Sequence, residues 1–429
     1  MKKYELYKDS GVGWIGEIPS HWSCVKVKHL LRERVDKSED GIGEPLSMSQ
    51  KYGLIPTSQM DVVPNLATSY VGAKRTRQGD MVLNKLKAHL GVFALSAYDG
   101  LVSPDYAVYY GTGRADLEYL EYLFKTPLYV SEFIKKTTGV AIGFNRLYTD
   151  DLFSIPAHYP PMQEQKRIVD YLKDKTLKIE QYVSARERER ELLDSLKQSE
   201  IANVVTKGLN PNVRMKDSGI PWIGMIPEHW EIRRWGNAFI ENKDINTNLE
   251  NTDAFQFNYG SLVRKKRTYK AEEDAETYSK YTVLKPKDIV INGLNLNYDF
   301  VSQRVAISAE NGIITSAYIS MHPRKNVNAQ YFCFLFKTMD AKKLFHSMGT
   351  GIRLTLSFAE LKKQYIPIPP IEEQQAIVDY IEAKLSKIDS CMADLQAEID
   401  YLKEFKQRLI SDVVTGQICV AKPQKGEQQ

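Results

Sequence analysis

Two stretches of this chain carry apolar residues at helical spacing for more than forty residues, at 162–206 and 371–414. In the first, Ile168, Leu172, Ile179, Tyr182, Leu193 and Leu196 fall on the a/d positions of one heptad frame. In the second, the same frame gives Ile377, Ile381, Ile388, Cys391, Leu395, Leu402, Phe405 and Leu409. The outer faces are charged, as in 186–191. That pattern predicts a coiled-coil seam. Val169, Val183, Val378 and Ile399 fall outside the frame and leave a second surface to cover. At ~1.5 Å rise per residue each helix would run roughly 65 Å if unbroken.

Both helices open on the same words. Residues 160–179 read PPMQEQKRIVDYLKDKTLKI and residues 369–388 read PPIEEQQAIVDYIEAKLSKI, identical at 11 of 20 positions. Proline suits a first helical turn, where its missing N–H would be unpaired anyway. The acids Glu164 and Glu373 complement the positive end of the helix dipole there. Two further landmarks repeat. DSGVGWIGEIPSHW at 9–22 returns as DSGIPWIGMIPEHW at 217–230, and Val-Val-Thr closes both helices at 204–206 and 413–415. The three intervals are 208, 209 and 209 residues. One near-constant interval means an internal duplication of about half the chain. The Trp box reads first as a packing device that buries Trp14, Ile15, Ile18 and Trp22.

Between box and helix, each half reads as mixed α/β. Met81–Leu83 and Ile289–Ile291 are short buried strands after Gly79-Asp80 and Lys287-Asp288 turns. Gly91–Ala97 and Val301–Ser308 follow as strands, then Gly100–Ser103 and Gly312–Thr315. Helical stretches come next at Asp116–Lys136 and Ala329–Ser347, and Gly139 and Gly351 turn the chain back towards the helix starts. The middles, about 36–75 and 243–282, show little similarity. The expected fold is therefore α/β (α+β), two similar mixed domains joined by two long antiparallel helices, with an internal pseudo-twofold repeat. The boundaries are domain 1 at 1–157, helical spacer 1 at 158–208, domain 2 at 209–366, spacer 2 at 367–420 and a polar tail at 421–429. The first Trp box has no helix before it and the last helix has no box after it. The chain ends should therefore lie close together, supplying the missing junction.

Composition adds bounds. The 429 residues suit two to four domains, and 43% hydrophobic with 26% charged residues is globular. A net charge of +4 permits nucleic-acid binding without arguing for it. The four cysteines, Cys24, Cys333, Cys391 and Cys419, show no metal-ligand spacing and fit a reducing compartment. The N-terminus lacks the apolar core of a signal peptide, and no run of 18 apolar residues occurs, so the expectation is a cytoplasmic protein with no membrane partner. No phosphate-binding loop, HExxH or clustered His set appears. Pro104-Asp105 lacks the acid-x-Lys that a common nuclease site would add. No catalytic or metal site is read from the sequence.

The remaining candidate chemistry is basic, amide and aromatic. Lys74, Arg75 and Arg77 precede the first Gly-Asp turn, and Lys85 and Lys87 follow its strand. In the second half Arg264, Lys265, Lys266 and Arg267 form the densest basic run. The loop with Asn292, Asn295 and Tyr298 occupies the slot of 84–89. Arg146 and Arg353 lie in corresponding returns, where bracing the domain and contacting DNA are equal readings. Lys and Arg suit phosphates, and Asn, Gln and Arg suit base edges. Any one such run alone reads first as a solvated face. Equivalent loops in both halves, basic in one and amide-rich in the other, turn the reading towards recognition.

A duplicated domain that ends in a Pro-Pro-x-x-Glu-Gln helix and closes on Val413-Val414-Thr415-Gly416, or Val204-Val205-Thr206-Lys207-Gly208, resembles the specificity subunit of type I restriction–modification systems. The resemblance spans essentially the whole chain. It implies two target recognition domains, each reading half of a bipartite, asymmetric site on double-stranded DNA, with the helices setting the spacer. It also implies docking of two methyltransferase (M) subunits and, through them, restriction (R) subunits. The chain itself would bind no cofactor and catalyse nothing, because S-adenosylmethionine and ATP/Mg²⁺ belong to the partners. A coiled-coil scaffold without DNA specificity, or a nuclease with an unrecognised site, are the rival readings.

Overall fold

The structure, a computed structural model, describes residues 2–49, 52–61, 69–138, 145–258, 260–266, 269–352 and 354–420. The first half runs β1 (Tyr7–Asp9), β2 (Glu17–Pro19), β3 (Ser23–Lys26), β4 (Leu31–Glu33), β5 (Leu46–Ser49), β6 (Gly53–Pro56), β7 (Lys74–Thr76), β8 (Met81–Asn84), β9 (Phe93–Leu95), β10 (Gly100–Val102) and β11 (Tyr106–Gly111), then α1 (Leu117–Phe124), α2 (Pro127–Lys136), α3 (Thr149–Ser154), β12 (Pro156–Tyr159) and the long α4 (Met162–Lys207). The second half runs β13 (Met215–Asp217), β14 (Met225–Pro227), β15 (Glu231–Arg234), α5 (Trp235–Ala238), β16 (Phe239–Glu241), β17 (Phe255–Asn258), β18 (Ser261–Arg264), α6 (Ala271–Tyr278), β19 (Thr282–Leu284), β20 (Ile289–Ile291), β21 (Val305–Ile307), β22 (Gly312–Ile314), β23 (Ile319–Pro323), α7 (Ala329–Ala341), α8 (Leu344–Met348), α9 (Phe358–Leu361), β24 (Tyr365–Ile368) and the long α10 (Ile371–Val414).

The two halves repeat one topology. Each has an antiparallel four-stranded sheet, ordered β4-β11-β8-β9 and β16-β23-β20-β21. The buried runs Met81–Leu83 and Ile289–Ile291 are internal strands of these sheets, covered on both sides, which is why they read as unbroken apolar triplets. The middles repeat too, although their sequences do not. Each holds a hairpin, β5–β6 or β17–β18, and the residue just before it bridges the equivalent strand, Pro45 to Leu101 and Ala254 to Ile313. Two expectations need correction. The stretches at Asp116–Lys136 and Ala329–Ser347 are each two helices, the first broken where Thr126 caps a new start at Pro127 and the second at Lys343, which takes a left-handed turn at φ 57°. The strand expected from Val301 begins only at Val305. Residues 301–303 are exposed, and Arg304 is turned inward to hold a loop.

The chain forms two compact units, residues 1–187 with 397–429, and residues 188–396. In the first, the start of α4 packs beside the end of α10. Ile168, Val169 and Leu172 share the core with Leu409, Val413 and Val414. In the second, the end of α4 packs beside the start of α10. Ile201, Val204 and Val205 join Ile377, Val378 and Ile381. Within each unit the segments run antiparallel, as the ion pairs Glu180–Lys406 and Glu187–Lys403 show in one and Lys197–Asp389 shows in the other.

The seam differs from the predicted frame by one residue at every second position. Leu172, Ile179 and Leu193 face inward as read, as do Ile388, Leu395, Leu402 and Leu409. The alternating positions are Thr176, Val183, Arg190 and Lys197 on α4, and Leu385, Met392, Ile399 and Lys406 on α10. Leu196 is therefore 51% exposed, Tyr182 is 44% exposed and Cys391 is exposed, whereas Val183 and Ile399 are buried. The middle of the seam is polar, which leaves few apolar residues there to mark the frame. Arg186 pairs with Glu398 at 3.1 Å and Arg190 donates to Gln396 there. Polar residues on a seam fix its register.

Each end of the helix pair is locked by the repeated words. Trp22 Nε1 donates to Glu164 at 3.1 Å, and Trp230 Nε1 donates to Glu373 at 3.0 Å. Gln165 bridges the amide of Asp116 and the carbonyl of Pro160, and Gln374 bridges the amide of Asn328 and the carbonyl of Pro369. Tyr119 donates to the carbonyl of Val414 and Tyr331 to that of Val205, satisfying helix-terminal carbonyls that lack a partner within the helix. Gly208 and Gly416 then end the helices at φ +76° and +78°. A Cβ on Gly416 would lie 2.5 Å from Pro19, so only glycine lets the Trp box close on the helix end. The first and last described segments meet there, and the Cys419 amide donates to the Lys2 carbonyl at 2.8 Å.

Candidate nucleic-acid interface

Each unit builds a pair of loops at the same place in its fold. In the first unit, the segment between β8 and β9 (Lys85–Leu90, a 3₁₀ turn) is tied to the return before α3. Leu147 donates its amide to the Lys85 carbonyl, and Thr138 pairs with Arg146. In the second, the segment after β20 is tied to the return before α9. Leu356 donates to the Gly293 carbonyl at 2.9 Å and Leu296 to the Leu354 carbonyl at 3.2 Å. Short strands end here, so the loops carry side chains on rigid supports.

The first loop pair is cationic. Lys85, Lys74 and Arg146 come together around Glu33 and Asp105: Lys74 lies 3.5 Å from Glu33 and Arg146 lies 3.0 Å from Asp105. Burial pushes the Lys85 ammonium below its ordinary range, and neighbouring Lys74 acts in the same direction. A site that crowds its own cations is one where an arriving phosphate gains most. Lys87 is exposed beside them. Arg75 is directed elsewhere, to Asp40 at 3.0 Å and Asp36 at 3.9 Å, while the Arg77 side chain is exposed. Beneath the sheet, Arg34 grips Asp80 through two hydrogen bonds and stacks on Tyr110.

The second unit is arranged differently. Arg264 is committed to Glu310, through bonds of 3.0 and 2.7 Å, and to Asp253 at 3.1 Å. Lys265 lies over the rings of Tyr278 and Tyr281, and Lys266 is exposed. Arg267 and Arg353 lie outside the described residues. Asn292 accepts the Leu294 amide, Asn295 takes a left-handed turn at φ 52°, and Tyr298 stands 79% exposed. The structure thus gathers Lys74, Lys85 and Arg146, and separately the amide loop, while Arg264 serves its own hairpin. Asp288, the counterpart of Asp80, is held by Asn242 and His322 in place of an arginine, and burial raises its carboxyl above the ordinary range.

The Type I restriction modification DNA specificity domain family matches residues 227–401. A protein named as the type I restriction enzyme MjaX specificity subunit, from Methanocaldococcus jannaschii, is 21% identical over 95% of this chain and 96% of its own. The MjaVIII specificity subunit of the same organism is 23% identical over 70% of each chain. In sequence the chain is similar to type I restriction–modification specificity subunits over nearly its whole length. The fold agrees. A chain solved in work on complex assembly and conformational transition of the type I R-M system superposes with a TM-score of 0.68, at 15% identity, over 94% of this chain and 99% of that one. The HsdS subunit from Thermoanaerobacter tengcongensis gives 0.53 at 16% identity, over 94% and 98%.

Several residues that shape these sites gave little signal in the sequence. Glu164 and Glu373 read as dipole partners, yet their carboxylates accept the Trp-box indoles and histidines. Arg304, at 1% exposure, was passed over within a strand-like run. An arginine amid Val, Ala and Ile was the available signal, since guanidinium groups are rarely buried without partners. Glu33 and Asp105 gave no signal, because their role depends on strands far apart in sequence.

Proposed function

We propose that this chain is a specificity subunit that reads a bipartite, asymmetric site on double-stranded DNA, with residues 1–157 reading one half and residues 209–366 the other. The observation that carries this reading is the repeated loop pair, built at the same place in both units and bearing different side chains. Duplication of the frame with divergence at the loops is what two readers of different sequences require. Cations such as Lys85 and Lys87 would neutralise phosphates, giving affinity that falls steeply with salt. Loop side chains would read base edges, each worth ~1–3 kcal/mol of discrimination.

The paired helices, 158–208 and 367–420, would set the spacer between half-sites, and their outer faces would dock two methyltransferase subunits. Restriction subunits would join through these. The adenine to be methylated would be flipped into a partner's pocket, so this chain recognises and does not catalyse. The test is selection from a randomised duplex library by the chain co-expressed with its methyltransferase, in the cytoplasm where both would act. Two short, unrelated motifs at one fixed spacing are expected. A single motif, or none, would set the coiled-coil scaffold reading ahead.

A further inference from the structure

The second loop pair presents an apolar surface where the first presents cations. Tyr298 is 79% exposed, Val301 88% and Ile352 98%. They stand on two different loops that Asn297 ties together through the Ile352 carbonyl. Isolated exposed apolar residues are ordinary, but three on adjoining loops form a patch that calls for an explanation. The patch is also held rigidly. Arg304 sends its guanidinium inward to the carbonyls of Asn292 (3.1 Å), Leu294 (2.8 Å) and Asp299 (2.7 Å). The Asp299 carboxylate accepts the amides of Val301 and Ser302, and His346 bonds to the Asp299 carbonyl at 3.1 Å. Burying a guanidinium is costly unless it is paired, and both terminal nitrogens of Arg304 are bonded to loop carbonyls. Here the engagement fixes the shape of a single exposed loop.

We infer that the second domain reads thymine C5-methyl groups through the apolar tip of Tyr298, Val301 and Ile352, with Arg304 as the positioning residue beneath it. The inference rests on the reading that this loop pair faces duplex DNA. That occupant is favoured by continuity of the repeat: the same slot in the first unit holds Lys85 and Lys87, groups suited to the DNA backbone. The thymine methyl is the one apolar feature displayed in the major groove, so an apolar tip in that slot has one natural target. The two halves would then read with different chemistries, one by charge and one by methyl contact.

Replacing thymine with deoxyuridine, one position at a time, removes only the methyl. With the selected duplex and the methyltransferase-bound chain, at least one replacement in the second half-site should weaken binding about fourfold, the value of one buried methyl. Val301→Ala and Ile352→Ala lie at exposed sites and leave folding intact. They should bring that ratio towards one, while replacements in the first half-site behave as in the native chain. Tolerance of deoxyuridine throughout the second half-site overturns the inference, as does a second half-site without an A·T pair. A native-sized penalty in both variants overturns it too. So does loss of methyltransferase association in the variants with the thymine dependence intact, which would mark the tip as a protein-docking surface. Failure to select any second half-site overturns the two-reader function as well.

Discussion

Glu164 and Glu373 are repeat partners with unequal duties, and the inequality is measurable. The Glu164 side chain is 9% exposed and accepts from Tyr4 at 2.6 Å and Trp22 at 3.1 Å, with His21 at 2.8 Å. Glu373 is 25% exposed and, among the described residues, holds Trp230 and His229, at 3.0 and 2.7 Å. Glu164→Ala strands the indole N–H of the fully buried Trp22 and the Tyr4 hydroxyl. Each buried donor left without an acceptor costs about 1–3 kcal/mol, so the total is about 3–4 kcal/mol for Glu164→Ala and about 2 kcal/mol for Glu373→Ala. For units of roughly 200 residues that corresponds to Tm losses of roughly 10 °C and 5 °C. Scanning calorimetry of the two variants and of Glu164→Gln, which keeps an acceptor oxygen, reads these values. The Gln variant should lose about half as much as Ala. If Glu373→Ala proves as damaging as Glu164→Ala, or if neither lowers Tm by more than a degree or two, the carboxylates are not the locks described here.

His158 is buried against Trp22 and bonds the Val414 carbonyl, and burial lowers its pKa to about 4. The folded state resists protonation that the unfolded chain accepts near 6.5. Its contribution is therefore full above that pH and lost as pH falls towards 4, by roughly 3 kcal/mol. Urea unfolding between pH 7.5 and 4.5 should show this slope in the native chain and not in His158→Gln. Tyr331→Phe should cost about 1–2 kcal/mol, and Tyr119→Phe less, because His158 still bonds the Val414 carbonyl; denaturant midpoints decide the order. On the seam, Ile399→Ala should cost about 2–4 kcal/mol and Leu196→Ala under about 0.5 kcal/mol, the reverse of the order that the hydrophobic pattern predicts. Lys85→Ala with Lys87→Ala should flatten the salt dependence of DNA binding by about two phosphate contacts across all sequences, read from a plot of log affinity against log salt.

Local signals carried the frame of the fold. Pro160-Pro161 and Pro369-Pro370 marked helix starts because proline acts on its own backbone. Met81–Leu83 and Ile289–Ile291 marked strands because a strand covered on both faces must be apolar throughout. The closing Gly208 and Gly416 announced helix ends, and the lone box and lone helix implied the junction that Cys419 and Lys2 make. What escaped is what depends on partners distant in sequence. Tyr182 and Leu196 fitted a heptad as well as Val183 does. Packing across the pair, which buries Val183 and Ile399 and leaves Tyr182 and Leu196 exposed, decides which frame faces inward. Arg264–Lys266 resembled a phosphate site because Glu310 and Asp253, which engage Arg264, are 46 and 11 residues away. The cluster of Lys74, Lys85 and Arg146 needed strand pairing to assemble. The hairpins of the two middles share their bridging partners but scarcely any sequence, since backbone pairing tolerates most side chains.

Each domain is proposed to read its own half-site. The most direct test exchanges residues 1–157 for the matching segment of a specificity subunit with another target, followed by library selection of the methyltransferase-bound chimera. One motif should change while the other motif and the spacing between them stay as they were. Change in both motifs, or in neither, would contradict it.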